Sequence, residues 1–85
     1  MTALVVLYSH RGCPGGEAAQ RHMDEQGIAY QMRDVLKDLE ARAEFQRLGG
    51  IGTPLLQVGE HLLHGFDPDE FEAILSQAEG RPAHG

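Results

Sequence analysis

ALVVLYSHRGCPGG, residues 3–16, passes from an apolar run through a polar loop to the start of a helix. Residues 3–8 are nearly all apolar and favour β-structure, a pattern typical of a strand buried on both faces. Residues 14–26 favour helix, and Gly27 lies where helices usually reverse. The stretch therefore predicts a buried strand, a short loop and a helix, with Cys13 at the helix start.

A second strand is predicted over residues 28–35 (IAYQMRDV), where larger side chains alternate with small or polar ones. Its better-buried face is expected to carry Ile28, Tyr30 and Met32. Because the helix of residues 14–26 lies between the two strands, they form a βαβ unit and should run parallel.

A second amphipathic helix is predicted over residues 38–48, ending at the glycine pair 49–50. Its period places a few apolar side chains on one face. The expected buried contacts of this helix are Leu39, Phe45 and Leu48.

A hairpin and a third helix complete the pattern. Residues 54–58 and 61–64 predict two short antiparallel strands joined by a tight turn. Asp67 is placed to cap the helix that follows, with Pro68 at the first position and Glu70 completing a capping box. The buried stripe of this helix is expected to contain Phe71, Ile74 and Leu75.

The order of elements is βαβαββα, which predicts one α/β domain with a four-stranded mixed sheet and three helices. A chain of 85 residues has room for one small domain. We assign residues 1–78 to this domain and residues 79–85 to a flexible C-terminal tail, because the tail has little to bury.

Charge and hydropathy exclude several classes of function. Thirteen acidic and seven basic residues give a net charge of −6, which opposes binding to a nucleic acid. The longest apolar run, residues 3–8, is far shorter than the roughly 20 residues of a membrane span, and no basic start or cleavage site precedes it. We therefore expect a cytoplasmic protein that binds neither nucleic acid nor a membrane.

Cys13 is the only cysteine, which excludes an intramolecular disulfide and a Cys-rich metal site built by one chain. At a helix start, unpaired N–H groups and the positive end of the helix dipole favour thiolate over thiol. His10 and Arg11 add positive charge, whereas Glu17 opposes it. We predict a lowered pKa for Cys13, which makes it a good leaving group from a mixed disulfide. The alternative is a small buried hydrophobe without reactivity.

The five histidines predict no metal site. His10 lies three residues before Cys13. His61 and His64 flank the last predicted strand, where alternation places them on opposite faces. No compact set of three or four ligands results.

Several motifs, in order over about residues 4–75, resemble the glutaredoxin family of the thioredoxin fold. The segment before the last helix also resembles the small glutaredoxin-like redoxins that reduce ribonucleotide reductase. The motifs are YSHRGCP at residues 8–14, GIAY at 27–30, RDV at 33–35, TP at 53–54 and GFD at 65–67.

The resemblance implies that Cys13 is the catalytic nucleophile and that Thr53 presents its backbone to a bound thiol or peptide strand. It also implies a cis peptide bond before Pro54, whereas the local sequence alone favours trans. The residues that the resemblance assigns to substrate and thiol binding are His10, Arg11, Pro14, Gly15, Thr53, Pro54, Gly65, Phe66 and Asp67.

The chain departs from the family pattern at its motifs. Dithiol members have Cys-x-x-Cys, but the second position here is Gly16, so Cys13 has no partner thiol in the chain. Glutathione-binding members carry a lysine where His10 stands, a Thr-Val pair where residues 52–53 are Gly-Thr, and Gly-Gly before the aspartate of the last loop. These differences leave the identity of the small thiol open. Members that bridge a [2Fe–2S] cluster show Cys-Gly-Phe-Ser, which this chain lacks.

Together these features predict a monothiol oxidoreductase that reduces mixed disulfides between proteins and a low-molecular-weight thiol. Glutathione or an analogue would be the co-substrate, S-thiolated or disulfide-bearing proteins would be the partners, and no cofactor would be bound. We expect a monomer. Two alternatives stay open: a redox-inactive module that binds extended peptides, and a two-chain iron–sulfur carrier. The Gly15-Gly16 pair either leaves Cys13 open to a bulky adduct or only loosens the helix start.

Overall fold

A computed structural model describes residues 4–78. It confirms the predicted order βαβαββα, with four strands and three helices. The predicted tail, residues 79–85, lies outside the described residues. The elements are β1 (Val5–Ser9), α1 (Pro14–Glu25), β2 (Gln31–Asp34), α2 (Leu39–Arg47), β3 (Leu55–Val58), β4 (His61–His64) and α3 (Pro68–Ala78).

The strands form one mixed sheet in the order β2-β1-β3-β4. β1 runs parallel to β2 and antiparallel to β3, and β4 is antiparallel to β3, as the sequence predicts. β1 has a neighbour on each side, and all five of its residues are buried. The continuous apolar run near the start of the chain therefore reflects burial on both faces of the sheet.

Helices cover both faces of the sheet, so the core has two parts. α1 and α3 pack on one face around Phe71, and α2 packs on the other around Phe45. Alternation along β1 sends Leu7 to the first part and Tyr8 to the second. The first part contains Val5, Leu7, Ala19, Met23, Leu56, Val58, Leu63, Phe71 and Leu75, and the second contains Val6, Tyr8, Val35, Phe45 and Leu55.

Two of the expected core residues are exposed. Leu39 is 81% exposed because it is the first residue of α2, and the helix turns Ala41 and Phe45 toward the sheet instead. Met32 is 36% exposed because β2 is an edge strand, shorter than predicted. The side-chain amide of Gln20 donates a hydrogen bond to the Met32 sulfur at 3.4 Å. Both predictions were wrong because an apolar pattern does not show where an element ends or which strand lies at an edge.

Side-chain caps begin α2 and α3. Asp38 Oδ1 accepts hydrogen bonds from two N–H groups in the first turn of α2, at 2.9 and 3.3 Å. Asp67 does the same for α3, also at 2.9 and 3.3 Å, which confirms the predicted helix start. α1 differs, because Cys13 stands at its N-cap position and makes no side-chain cap. None of the helices described within residues 4–78 has the length and apolar character needed to cross a membrane.

Candidate active site

Cys13 lies where the chain leaves the sheet and enters α1. The loop of residues 10–12 separates it from β1, and Pro14 occupies the first position of the helix. The carbonyl of Cys13 accepts a hydrogen bond from the Glu17 N–H at 2.9 Å, while the Cys13 sulfur does not cap the helix. Only 6% of Cys13 is exposed. The predicted position at the helix start is confirmed, and the residue is more deeply buried than the loop sequence indicates.

The peptide bond between Thr53 and Pro54 is cis, as the family resemblance implies. Thr53 Oγ1 donates a hydrogen bond to Cys13 Sγ at 3.4 Å. The first turn of α1 lies close to Pro54, because a Cβ added to Gly15 would be 2.9 Å from Pro54 Cδ. Glycine at position 15 thus allows the helix start, and with it Cys13, to approach the Thr53-Pro54 bond.

Burial is the strongest single influence on the pKa of Cys13, and it raises that pKa by disfavouring the charged thiolate. Groups that can donate to the charged sulfur act in the opposite direction: the Thr53 hydroxyl, the Gly16 N–H and the Ser9 hydroxyl each favour the thiolate, as does the positive charge of His10. These effects outweigh burial, so the pKa of Cys13 lies below its ordinary value, as predicted. The thiol is surrounded by hydrogen-bond donors and is not enclosed in hydrocarbon.

Ser9 is a residue of the site that the sequence analysis missed. It is fully buried, and its hydroxyl has no hydrogen-bond partner among the described residues. An unpaired buried hydroxyl costs about 1–3 kcal/mol. The hydroxyl lies against Gly16, where an added Cβ would overlap Ser9 Oγ. Both glycines of the Gly15-Gly16 pair are therefore required for close packing, which neither sequence-based interpretation of the pair anticipated.

Two open depressions meet at Thr53. One, of about 330 Å³, has His10, Arg42 and Ile51 among its lining residues. The other, of about 550 Å³, includes Ile51 again and His64. Within residues 4–78, neither the N–H nor the C=O of Thr53 is bonded to another backbone group. Two backbone groups without a backbone partner therefore lie where the depressions meet.

Three further predicted site residues lie around Cys13 and Pro54. Arg11 and Pro14 are exposed, one in the loop before Cys13 and the other directly after it. Gly65 lines the second depression and donates its N–H to the Pro54 carbonyl at 2.9 Å. That bond joins the residue after β4 to the residue before β3, and so fixes the far wall of the depression.

Phe66 and Asp67 make contacts within the fold, and their predicted role in binding stays a prediction. The Phe66 ring centroid lies 5.6 Å from that of His22 and 5.9 Å from that of Phe71, so Phe66 packs on the core. Asp67 is occupied in capping α3. Neither residue lines the depressions beside Thr53.

The histidines do not form a metal centre in the part of the chain that the structure describes. His61 and His64 are exposed at the two ends of β4. Over residues 4–78 no group of three or more His, Cys, Asp or Glu side chains is arranged to hold a metal ion.

Replacing Thr53 with valine should reduce the ionisation of Cys13. Valine keeps the shape of the side chain but removes the hydroxyl that donates to the sulfur, and a hydrogen bond to a charged group contributes about 1.5–3 kcal/mol. Below the wild-type pKa, the thiolate fraction read from ultraviolet absorbance should fall about tenfold. Thr53→Ser keeps the hydroxyl and should titrate like the wild type. An unchanged titration of Thr53→Val would contradict a role for this contact.

Comparison with known proteins agrees with this arrangement. The sequence model of the glutaredoxin family matches residues 5–63. No curated protein sequence matches the chain.

Solved structures match over most of the chain. The thioredoxin-like protein BC3987 is 22% identical, with a TM-score of 0.78 over 84% of this chain and 99% of its own. The glutaredoxin-like protein NrdH-redoxin from Escherichia coli is 25% identical, with a TM-score of 0.71 over 79% of this chain and 88% of its own. A glutaredoxin from Brucella melitensis is 26% identical, with a TM-score of 0.59 over 75% of this chain and 71% of its own.

The family match spans the strand that leads to Cys13, the helix that begins there and the strand that begins after Pro54. The fold, the cis bond and the lowered pKa of Cys13 agree with it. The chain therefore belongs to the glutaredoxin family, a family of thiol–disulfide oxidoreductases with the thioredoxin fold.

Proposed function

We propose that the protein is a monothiol oxidoreductase that reduces mixed disulfides between proteins and a low-molecular-weight thiol. The observation that carries the proposal is the position of Cys13, the only cysteine of the chain, at the start of α1 and 3.4 Å from the Thr53 hydroxyl. A sulfur held there is favoured as thiolate both when it attacks and when it leaves.

The proposed cycle has two disulfide exchanges. In the first, the Cys13 thiolate attacks the small-thiol sulfur of the mixed disulfide, a new disulfide joins Cys13 to the small thiol, and the protein substrate leaves as a thiolate that takes a proton from water. In the second, the thiolate of another small-thiol molecule attacks the small-thiol sulfur of this adduct. The small-thiol disulfide leaves, and the Cys13 thiolate is regenerated.

The depressions beside Thr53 support this choice of substrate. His10 and Arg42 line the first depression, so a small thiol that carries carboxylates, such as glutathione or an analogue, matches its charge. The unbonded backbone of Thr53 suits the extended peptide that bears the disulfide. The cycle requires no prosthetic group and a single copy of the chain. It requires a pool of reduced thiol, which the cytoplasm supplies.

A redox-inactive peptide-binding module is the second candidate. It is favoured by the small exposed fraction of Cys13, 6%, and by the backbone of Thr53, whose N–H and C=O have no backbone partner within the described residues. In this version Thr53 pairs with an extended chain, and the sulfur only fills the floor of the site.

The test offers the protein peptides S-thiolated with glutathione, bacillithiol or mycothiol, each with the matching reduced thiol. We expect one of these thiols to support release of the reduced peptide well above the uncatalysed rate. The Cys13→Ser variant serves as the matched control for each pair. If no pair exceeds its uncatalysed rate while peptides still bind, the binding module replaces the oxidoreductase.

A further inference from the structure

Ser9 ends β1 with a hydroxyl that no contact of the fold explains. Its side chain is fully buried, and within the described residues the hydroxyl has no hydrogen-bond partner. Its backbone carbonyl is already used, since it accepts the Val35 N–H at 2.9 Å. Buried hydroxyls without a partner are rare, and each one calls for a physical reason.

The reason lies in the first turn of α1. A Cβ added to Gly16 would overlap Ser9 Oγ and would lie 2.9 Å from Ser9 Cβ and 3.6 Å from Cys13 Cβ. The Ser9 hydroxyl therefore fills the space that a side chain at position 16 would take, directly beside Cys13. In a Cys-x-x-Cys motif position 16 would carry the second thiol. In this chain the Ser9 hydroxyl, at the end of β1, occupies the space of that thiol.

We propose that Ser9 is a positioning residue for the reaction of Cys13: its hydroxyl donates to the sulfur when the sulfur is negatively charged, and Gly16 leaves the room that it needs. A hydroxyl has one proton to donate, and a thiolate accepts it as a charge-assisted hydrogen bond. The hydroxyl is thus unpaired while Cys13 is a thiol and paired once the thiolate forms. In agreement with this geometry, Ser9 is one of the groups that lower the pKa of Cys13.

This role deepens the proposed function, because attack and release at Cys13 both depend on the thiolate. Its test does not require turnover: the thiolate is titrated by ultraviolet absorbance in the reduced full-length protein. Failure of every small thiol as a co-substrate would overturn the proposed function and leave this titration interpretable.

The first comparison is Ser9→Ala against Ser9→Thr. At a pH below the wild-type pKa we expect Ser9→Ala to lower the thiolate fraction about tenfold, because a donor to a charged group is lost. Ser9→Thr keeps the hydroxyl and should stay close to the wild type. Ser76→Ala, in α3, is the matched control and should titrate as the wild type does. An unchanged titration of Ser9→Ala would overturn the proposal.

The second comparison tests whether the effect of Gly16 on Cys13 depends on the Ser9 hydroxyl. In the wild-type background Gly16→Ala displaces the Ser9 hydroxyl and should lower the thiolate fraction. In the Ser9→Ala background the same change should lower the thiolate fraction by less, because the hydroxyl is already absent and only the contact with the Cβ of residue 9 remains, so the two substitutions should not be additive. If Gly16→Ala lowers the thiolate fraction equally in both backgrounds, Gly16 acts without Ser9, and this part of the proposal is overturned. If Gly16→Ala fails to fold, the comparison of Ser9→Ala with Ser9→Thr still decides the role of the hydroxyl.

Discussion

Replacing Phe71 with alanine should lower the free energy of unfolding by about 3–5 kcal/mol. Phe71 has no exposed surface and lies in the part of the core between the sheet and α1 and α3. Its ring packs edge-on to His22 at a centroid distance of 5.8 Å and tilted against Phe66 at 5.9 Å. A domain of this size has only about 4–13 kcal/mol of stability in total, so the variant should be near its unfolding limit.

Urea unfolding followed by circular dichroism measures this loss. Leu39→Ala is the control, because Leu39 is apolar but 81% exposed and should change stability by less than about 0.5 kcal/mol. Phe71→Leu keeps much of the buried volume and should fall between the two. If Phe71→Ala lowers the free energy of unfolding no more than Leu39→Ala does, the result would contradict the two-part core.

The contrast between Phe71 and Leu39 shows what an apolar pattern can predict. Phe71 and Leu75 follow a cap at Asp67 and repeat with the period of a helix, and both are buried as predicted. Leu39 fits a helical period equally well, yet it is the first residue of α2 and faces solvent. Period and caps identify a helix and its start, but the direction that its first turn faces depends on tertiary packing.

The candidate site likewise combines features that the sequence predicts with features that depend on tertiary contacts. Cys13 was predictable because its chemistry depends on local order along the chain, from strand to loop to helix. The cis bond before Pro54 was implied by the family resemblance alone, against the local preference. Ser9 was missed because its importance depends on a contact with Gly16 across the junction of sheet and helix. Phe66 and Asp67 were assigned to binding by resemblance; in this structure Phe66 packs on the core and Asp67 caps α3, and their role in binding stays a prediction.

Replacing Cys13 with serine should abolish covalent capture of a small thiol. Cys13 is the only cysteine, so any disulfide adduct of the protein must involve it. Mass spectrometry after incubation with an S-thiolated peptide should show the added small thiol on the wild type and none on Cys13→Ser. Serine keeps the size of the side chain, and the backbone of Thr53 is untouched, so noncovalent binding of the peptide should persist in the variant. A covalent small-thiol adduct on Cys13→Ser would contradict the assignment of the nucleophile.

The same pair of proteins should differ in how stability depends on pH. The pKa of Cys13 is lowered in the folded protein, chiefly by hydrogen bonds that outweigh the opposing effect of burial. The folded state therefore favours the thiolate more than the unfolded chain does, where a cysteine titrates near a pKa of about 8.5. The stabilisation is fully present above the unfolded pKa and is lost as pH falls through the lower folded pKa. Reduced wild type should gain stability over Cys13→Ser as pH rises through that window.

This difference separates a reactive thiolate from an inert buried thiol. A sulfur that behaved as a small hydrophobe would have a raised pKa in the folded state, and wild type would lose stability relative to Cys13→Ser as pH rose. The urea midpoint of wild type minus that of Cys13→Ser is therefore measured at one pH below the folded pKa and at one pH above the unfolded pKa. The direction in which this difference changes with pH decides between the interpretations without a substrate. If the difference increases with pH and the adduct forms on the wild type alone, the first exchange of the proposed cycle is tied to the Cys13 thiolate.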